Sequence, residues 1–68
     1  MLLTAFLMPA PEGGFSALNP ETGTTSEGET VEEAVLNLRE ATELYLEEFP
    51  HRAFGNPVVT TFEVAAHA

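Results

Sequence analysis

The side chains able to move protons, attack carbonyl groups or hold metals are few in this chain, and their spacing does not make them cooperate. His51 and His67 are the only imidazoles. His67 stands next to the last residue, where chains commonly fray. His51, with Arg52, follows a helical stretch, and positive charge there complements the helix dipole. It reads as a capping or surface group rather than a base or a ligand. The candidate nucleophiles are Ser16, Ser26 and the threonines, with no neighbouring histidine evident to activate them. Glu40, Glu43 and Glu47 share one helical face. A hard cation would still need ligands converging from a second element, so these carboxylates read as a solvated face. "EGGF" and "SEGETV" lack both the glycine spacing and the lysine of a phosphate loop. No catalytic residue, metal or cofactor is expected, and the protein is read as a non-enzyme.

Charge narrows the partners. All eleven acidic residues are glutamate, set against Arg39 and Arg52, for a net charge of -9. Such a body repels nucleic-acid phosphates and anionic membranes. Direct nucleic-acid binding by this chain is not expected, and a basic protein is the favoured ligand. The plainer reading is that acidity keeps a small protein soluble. With no cysteine, disulfides and thiolate zinc sites are excluded. No apolar run reaches the roughly 18–20 residues that span a bilayer. "MLLTAFLMPAPEGG" has an apolar run without a basic start, unlike a signal peptide. A cytoplasmic location is expected.

These residues need elements to position them. A chain of 68 residues holds one domain, 1–68, without a separate DNA-binding domain. Its core is small, and oligomerisation is a common remedy. "MLLTAFLM" alternates with period two, as a strand does, with apolar residues on both faces. "PAPEGG" is a turn. "FSAL", Phe15 to Leu18, is a second strand, making a hairpin with the first. "NPETG" is another turn, and "TTSE" is a third strand on its β-branched content.

A helix then begins. Thr30 is an N-cap and Glu33 completes a T-x-x-E capping box. Glu29, Glu32 and Glu33 sit where the dipole favours negative charge. Val31, Ala34, Val35, Leu38, Ala41, Thr42, Tyr45 and Phe49 fall on one side, flanked by Leu46, a stripe wide enough to cover a sheet. Pro50 ends the helix near Phe49. "HRAFGNP" is a loop whose Phe54 is expected to tuck onto the core. "VVTTFEVAA" alternates Val58, Thr60, Phe62 and Val64 against Val59, Thr61 and Glu63, as a last strand. The expected fold is α+β: a small antiparallel sheet with one helix on a face, in the order β-β-β-α-β.

The outer face of this helix is acidic. Glu32, Glu33, Glu40, Glu43 and Glu47 point away from Leu38, and Arg39 offsets part of the charge through Glu43. Leu36 lies nearly opposite Leu38 within this field, and Leu44 lies beside it. Single exposed leucines are normal. Two framed by carboxylates fit an anchor with a charged rim for a basic partner, or a self-association patch. The candidate partner-binding residues are therefore Glu32, Leu36, Glu40, Glu43, Leu44 and Glu47.

The run "SEGETVEEAVLNLREATELYLEE" resembles the N-terminal domain of HicB-type antitoxins. That family shows a short strand followed by a pattern close to G-(D/E)-T-x-E-E-A-x-x-N-x-x-E-A-x-x-x-Y-(L/I). Gly28, Glu29, Thr30, Glu32, Glu33, Ala34, Asn37, Glu40, Ala41, Tyr45 and Leu46 occupy those positions. Upstream, "FSALNPETG" is similar to the family's extended segment ending in a proline turn before a glycine. Pro20 and Gly23 match there, with a gap one residue shorter. The likeness spans roughly residues 2 to 65, and its specific part is Gly28 to Leu46. It implies a partial ribonuclease H-like fold in the same element order. It also implies binding and neutralisation of a small basic, mRNA-cleaving toxin of the HicA type, in a homodimer or homotetramer. The ribbon-helix-helix or helix-turn-helix domain of many members is lacking, so DNA binding is not expected. The aspartates of a working ribonuclease H site are missing too. The alternative is a self-associating structural or regulatory protein without a toxin partner. Gly28, expected to serve the turn into the helix through its range of φ, joins Thr30, Glu33, Asn37 and Tyr45 as structural rather than catalytic.

Overall fold

The computed structural model describes residues 1–50, 55 and 57–66. Strands β1 (Phe6–Pro9), β2 (Phe15–Leu18) and β3 (Thr25–Gly28) precede helix α1 (Val31–Glu48). The strands form an antiparallel meander in the order β1-β2-β3. The fold is therefore a small α+β domain, a three-stranded sheet with one helix.

Turn chemistry sets the register. In the first hairpin Ala10 N–H donates to the Gly14 carbonyl, and Gly13 N–H donates to the Ala10 carbonyl. Gly13 and Gly14 both adopt positive φ, which a side chain would resist. Leu7 then faces Ala17, and Ala17 faces Ser26. This row lies on the helix side of the sheet. Ala17, Ala34 and Leu38 are buried together, with Leu7 and Phe15 packed against them. The other side presents Phe6 opposite Leu18 and Met8 opposite Ser16, and Met8 and Leu18 are exposed there.

Two expectations change. The first strand was expected from Met1, yet regular pairing starts at Phe6. Leu18 ends β2, so residues before Phe6 meet the turn rather than a strand. Thr4 is held by side chains instead. Its N–H donates to Glu21 Oε1 at 3.0 Å and its hydroxyl to Oε2 at 2.8 Å, while its carbonyl accepts from Asn19 Nδ2 at 2.7 Å. The last strand also differs. The described residues 57–66 form no strand and are all exposed. Period-two patterning specifies a strand, but it does not name the edge that pairs with it. The expected packing of Phe54 lies outside the described residues, as do His51, Arg52 and His67.

Asn19 organises the polar side of the core. It is the largest fully buried side chain. Besides Thr4, its amide donates to Glu21 Oε1 at 2.6 Å, and its oxygen accepts from Thr22 N–H at 2.9 Å and from the Thr22 hydroxyl. Hydroxyl contacts continue from Thr22 to Thr24 at 2.8 Å and from Thr24 to Thr42 on α1 at 2.7 Å. One chain of hydrogen bonds thus ties the N-terminal segment, the second turn and the helix.

Glu21 is the titratable member of this network. Desolvation pushes its pKa up, but hydrogen bonds from Thr4 N–H, the Thr4 hydroxyl, its own N–H and the Asn19 amide outweigh it. The carboxyl is held below its ordinary value of 4.5. A carboxylate with a depressed folded pKa stabilises the fold above its unfolded pKa, and the effect is lost as pH falls through the folded value. We expect Glu21→Gln to lower the melting temperature at pH 7, and the gap from wild type to narrow as pH drops below about 4.5. Thermal melts followed by circular dichroism from pH 7 to 3 check this. A gap constant across the range contradicts an ionised Glu21 in the network.

Candidate protein-binding site

Helix α1 is built as the sequence indicates, and its cap fixes its direction. Thr30 takes extended φ and ψ of -125° and 166°, and its hydroxyl accepts from Glu33 N–H at 3.1 Å. Glu33 Oε1 accepts from Glu29 N–H at 3.0 Å. The capping pair is thus shifted one residue outward from the usual partner, the cap's own N–H. At the other end Phe49 N–H donates to the Tyr45 carbonyl at 2.8 Å. Their rings stack at a tilt, with centroids 5.0 Å apart.

Gly28 has a different purpose from the one expected. The positive-φ glycines are Gly13, Gly14 and Gly23, not Gly28. A Cβ built on Gly28 would stand 2.5 Å from Ala34 N and 2.8 Å from the Glu33 carbonyl carbon. Glycine is required because the first turn of α1 lies directly on the end of β3. Asn37 fastens the same contact, its amide donating to the Glu27 carbonyl at 2.8 Å. That carbonyl lies on the outer edge of β3. Asn19 N–H bonds the Thr24 carbonyl, so alternate residues Ser26 and Gly28 pair with β2 and Glu27 faces away. Asn37 thus caps a strand edge, a structural role that the spacing alone did not reveal.

The outward face carries the candidate binding residues. Glu32, Leu36, Glu40, Glu43, Leu44 and Glu47 are all exposed. Leu38 is 4% exposed while Leu36 is 53% exposed and Leu44 65%, so the wheel holds for these three. Val31, Val35 and Phe49, expected on the inward stripe, are exposed instead, because the small sheet does not reach them. Leu36 and Leu44 stand about 12 Å apart along the axis at 1.5 Å rise per residue. Arg39 pairs with Glu43 at 3.5 Å on this exposed surface, a contact worth well under about 1 kcal/mol. It leaves the face strongly negative.

The remaining chemistry is sparse. Among the described residues no group of three or more His, Asp or Glu is placed to hold a metal. No helix there is long and apolar enough to cross a membrane. Ser16 and Ser26 lie on β2 and β3 with no described imidazole beside them. What the face offers is a negatively charged surface with two exposed leucines. No family model, curated protein or solved structure matches this chain.

Three substitutions test the geometry. Gly28→Ala is expected to cost about 1–3 kcal/mol, because backbone must shift to admit the methyl group, seen as a lower denaturant midpoint. Leu38→Glu is expected to unfold the domain by burying an unpaired charge. Leu36→Glu should change stability by no more than about 0.5 kcal/mol. Equal loss of stability at positions 36 and 38 refutes the two-faced helix.

Proposed function

We propose that this chain is a HicB-like, antitoxin-type binding module that neutralises a small basic, mRNA-cleaving toxin of the HicA type by protein–protein contact. The observation that carries it is the outer face of α1, where Leu36 and Leu44 stand exposed among Glu32, Glu40, Glu43 and Glu47. Carboxylates steer a basic partner and suppress acidic ones, raising the association rate more than the final affinity. Leucines that become desolvated at the centre supply contact area. The residues matching the HicB-type pattern support the reading. Thr30 and Glu33 cap α1, while Gly28 and Asn37 seat it, so they present the face rather than contact the partner.

The finer fold assignment belongs to the same proposal: a partial ribonuclease H-like β-β-β-α-β unit whose fourth strand is the segment from Val58, acting in the cytoplasm as a homodimer or homotetramer without contacting nucleic acid. A self-associating structural or regulatory protein without a toxin is the second reading, although self-association itself can accompany toxin binding. The exposed Val58, Phe62 and Val64 favour self-association.

Native purification of the tagged chain at low salt, with masses read directly, tests the function. A stoichiometric small basic protein is expected, released as salt rises. Its RNA cleavage should be suppressed by this chain. The double substitution Leu36→Glu and Leu44→Glu should weaken that complex by about tenfold or more, the equivalent of 1.4 kcal/mol. Recovery of this chain alone at every salt concentration refutes the antitoxin reading.

A further inference from the structure

The edges of this sheet are treated differently. On β3, the outward Glu27 carbonyl is capped by Asn37. On β1, alternation can be followed from the Ala10–Gly14 bond. Met8 and Phe6 share its phase and pair with β2. Thr4 continues that phase, its N–H and carbonyl held by Glu21 and Asn19. Leu7 and Ala5 therefore turn their N–H and carbonyl groups away from β2. Pro9, without an N–H, also faces out, a position where proline costs no ladder bond. No hydrogen bond to the outward groups of Ala5 and Leu7 is found among the described residues. The β1 edge is an open template for another strand.

The helix leaves room beside that edge. It packs chiefly on β3 and β2, so part of its apolar stripe is uncovered, with Val35 39% exposed. A groove of about 440 Å³ runs between the segment before β1 and α1, lined by Leu3, Ala5, Val35, Leu38 and Leu46.

The same chain carries a segment with strand-like alternation that pairs with none of the described strands. Val58, Phe62 and Val64 are 90%, 85% and 75% exposed. They alternate as a half-buried strand should, and between Val58 and Val64 the one charge is Glu63. The radius of gyration is 14.1 Å and the longest extent 47 Å, against about 11 Å expected for the radius of a compact chain of this length. The segment therefore does not fold back onto its own sheet. Pro50 and Pro57 bracket the connection to it, and each has its own φ fixed by its ring.

We infer that the strand from Val58 to Val64 pairs with the open β1 edge of a second copy, making a reciprocal strand-exchanged dimer in which Phe62 enters the partner's groove. A second copy fits better than an unrelated chain for three reasons. The edge and the unpaired strand occur on one molecule. A two-fold exchange satisfies both at once. The segment is nearly uncharged, so it approaches a body of net charge -9 with little repulsion. The inference does not need a toxin: Glu43 borders the groove, but Leu36 and Leu44 do not line it.

The full chain suffices for the test, and its lack of cysteine allows clean cross-linking. Sedimentation of wild type should give a dimer. Phe62→Glu should raise the dimer dissociation constant at least about 100-fold while the helical circular dichroism is kept. Ala5→Pro, which removes one outward N–H, should act in the same direction, and Leu36→Glu should leave the dimer intact. Ala5→Cys combined in turn with Thr60→Cys and Thr61→Cys should give covalent dimers on oxidation for one pairing. A monomeric wild type, a dimer insensitive to Phe62→Glu, or a disulfide formed within one chain would each overturn the exchange; the last would show the segment docking on its own sheet.

Discussion

The seat of α1 on the ends of β2 and β3 is close enough that only small residues fit at the contact. Ala34 is wholly buried, Ala17 nearly so, and Gly28 admits no Cβ. Small residues let backbones approach, but they bring little apolar area with them. Hydrophobic stabilisation scales with area at roughly 25 cal/mol per Å², so this contact aligns the elements more than it stabilises them. Leu38, 4% exposed, is the one large apolar residue among the buried members of the cluster. The small core expected from the chain length thus has a specific local cause.

Polar order compensates for the thin core. Asn19 fills a site where an apolar side chain would add area, and every buried side-chain polar atom among the described residues has a partner. A buried amide that lost its partners would cost about 1–3 kcal/mol, so the network penalises alternative packings as much as it favours the native one. It also fixes Thr4, and through Thr4 the phase of the strand that follows. The phase of β1 is set by the first hairpin, and the turn between β2 and β3 extends it to Thr4.

Local signals in the sequence were legible because each depends on near neighbours. The T-x-x-E pair at Thr30 and Glu33, the break at Pro50 and the apolar phase of Leu38 against Leu36 give the helix directly. The glycine pair in "PEGG" gives the first turn, and short alternating runs give β2 and β3 to within one residue. The rest depends on tertiary placement. Gly28 is read as a φ requirement from sequence, whereas the approach of Ala34 decides it. "NPETG" shows a turn but not that Asn19 faces inward. Asn37 falls beside an acidic face on the wheel, and only the position of Glu27 reveals the edge it caps. The run from Val58 has strand-like alternation, but the structure forms no strand there, because alternation does not supply an edge to pair with. The outer-face residues were legible as exposed, since one helical phase settles all of them together.

Separation of charge from strand pairing reconciles the two surfaces. Of the helix-face glutamates only Glu43, paired with Arg39, lines the groove beside β1, so two copies joined there would keep Glu32, Glu40 and Glu47 out of that groove. A dimer built through the helix face would instead oppose Glu40, Glu43 and Glu47 with their own copies. At contact distances such repulsion is large once water is removed. The acidic face therefore resists self-association, while the nearly neutral segment from Val58 to Val64 does not. A small domain can in this way enlarge its buried surface with a second copy and still present one unmasked acidic face on each protomer.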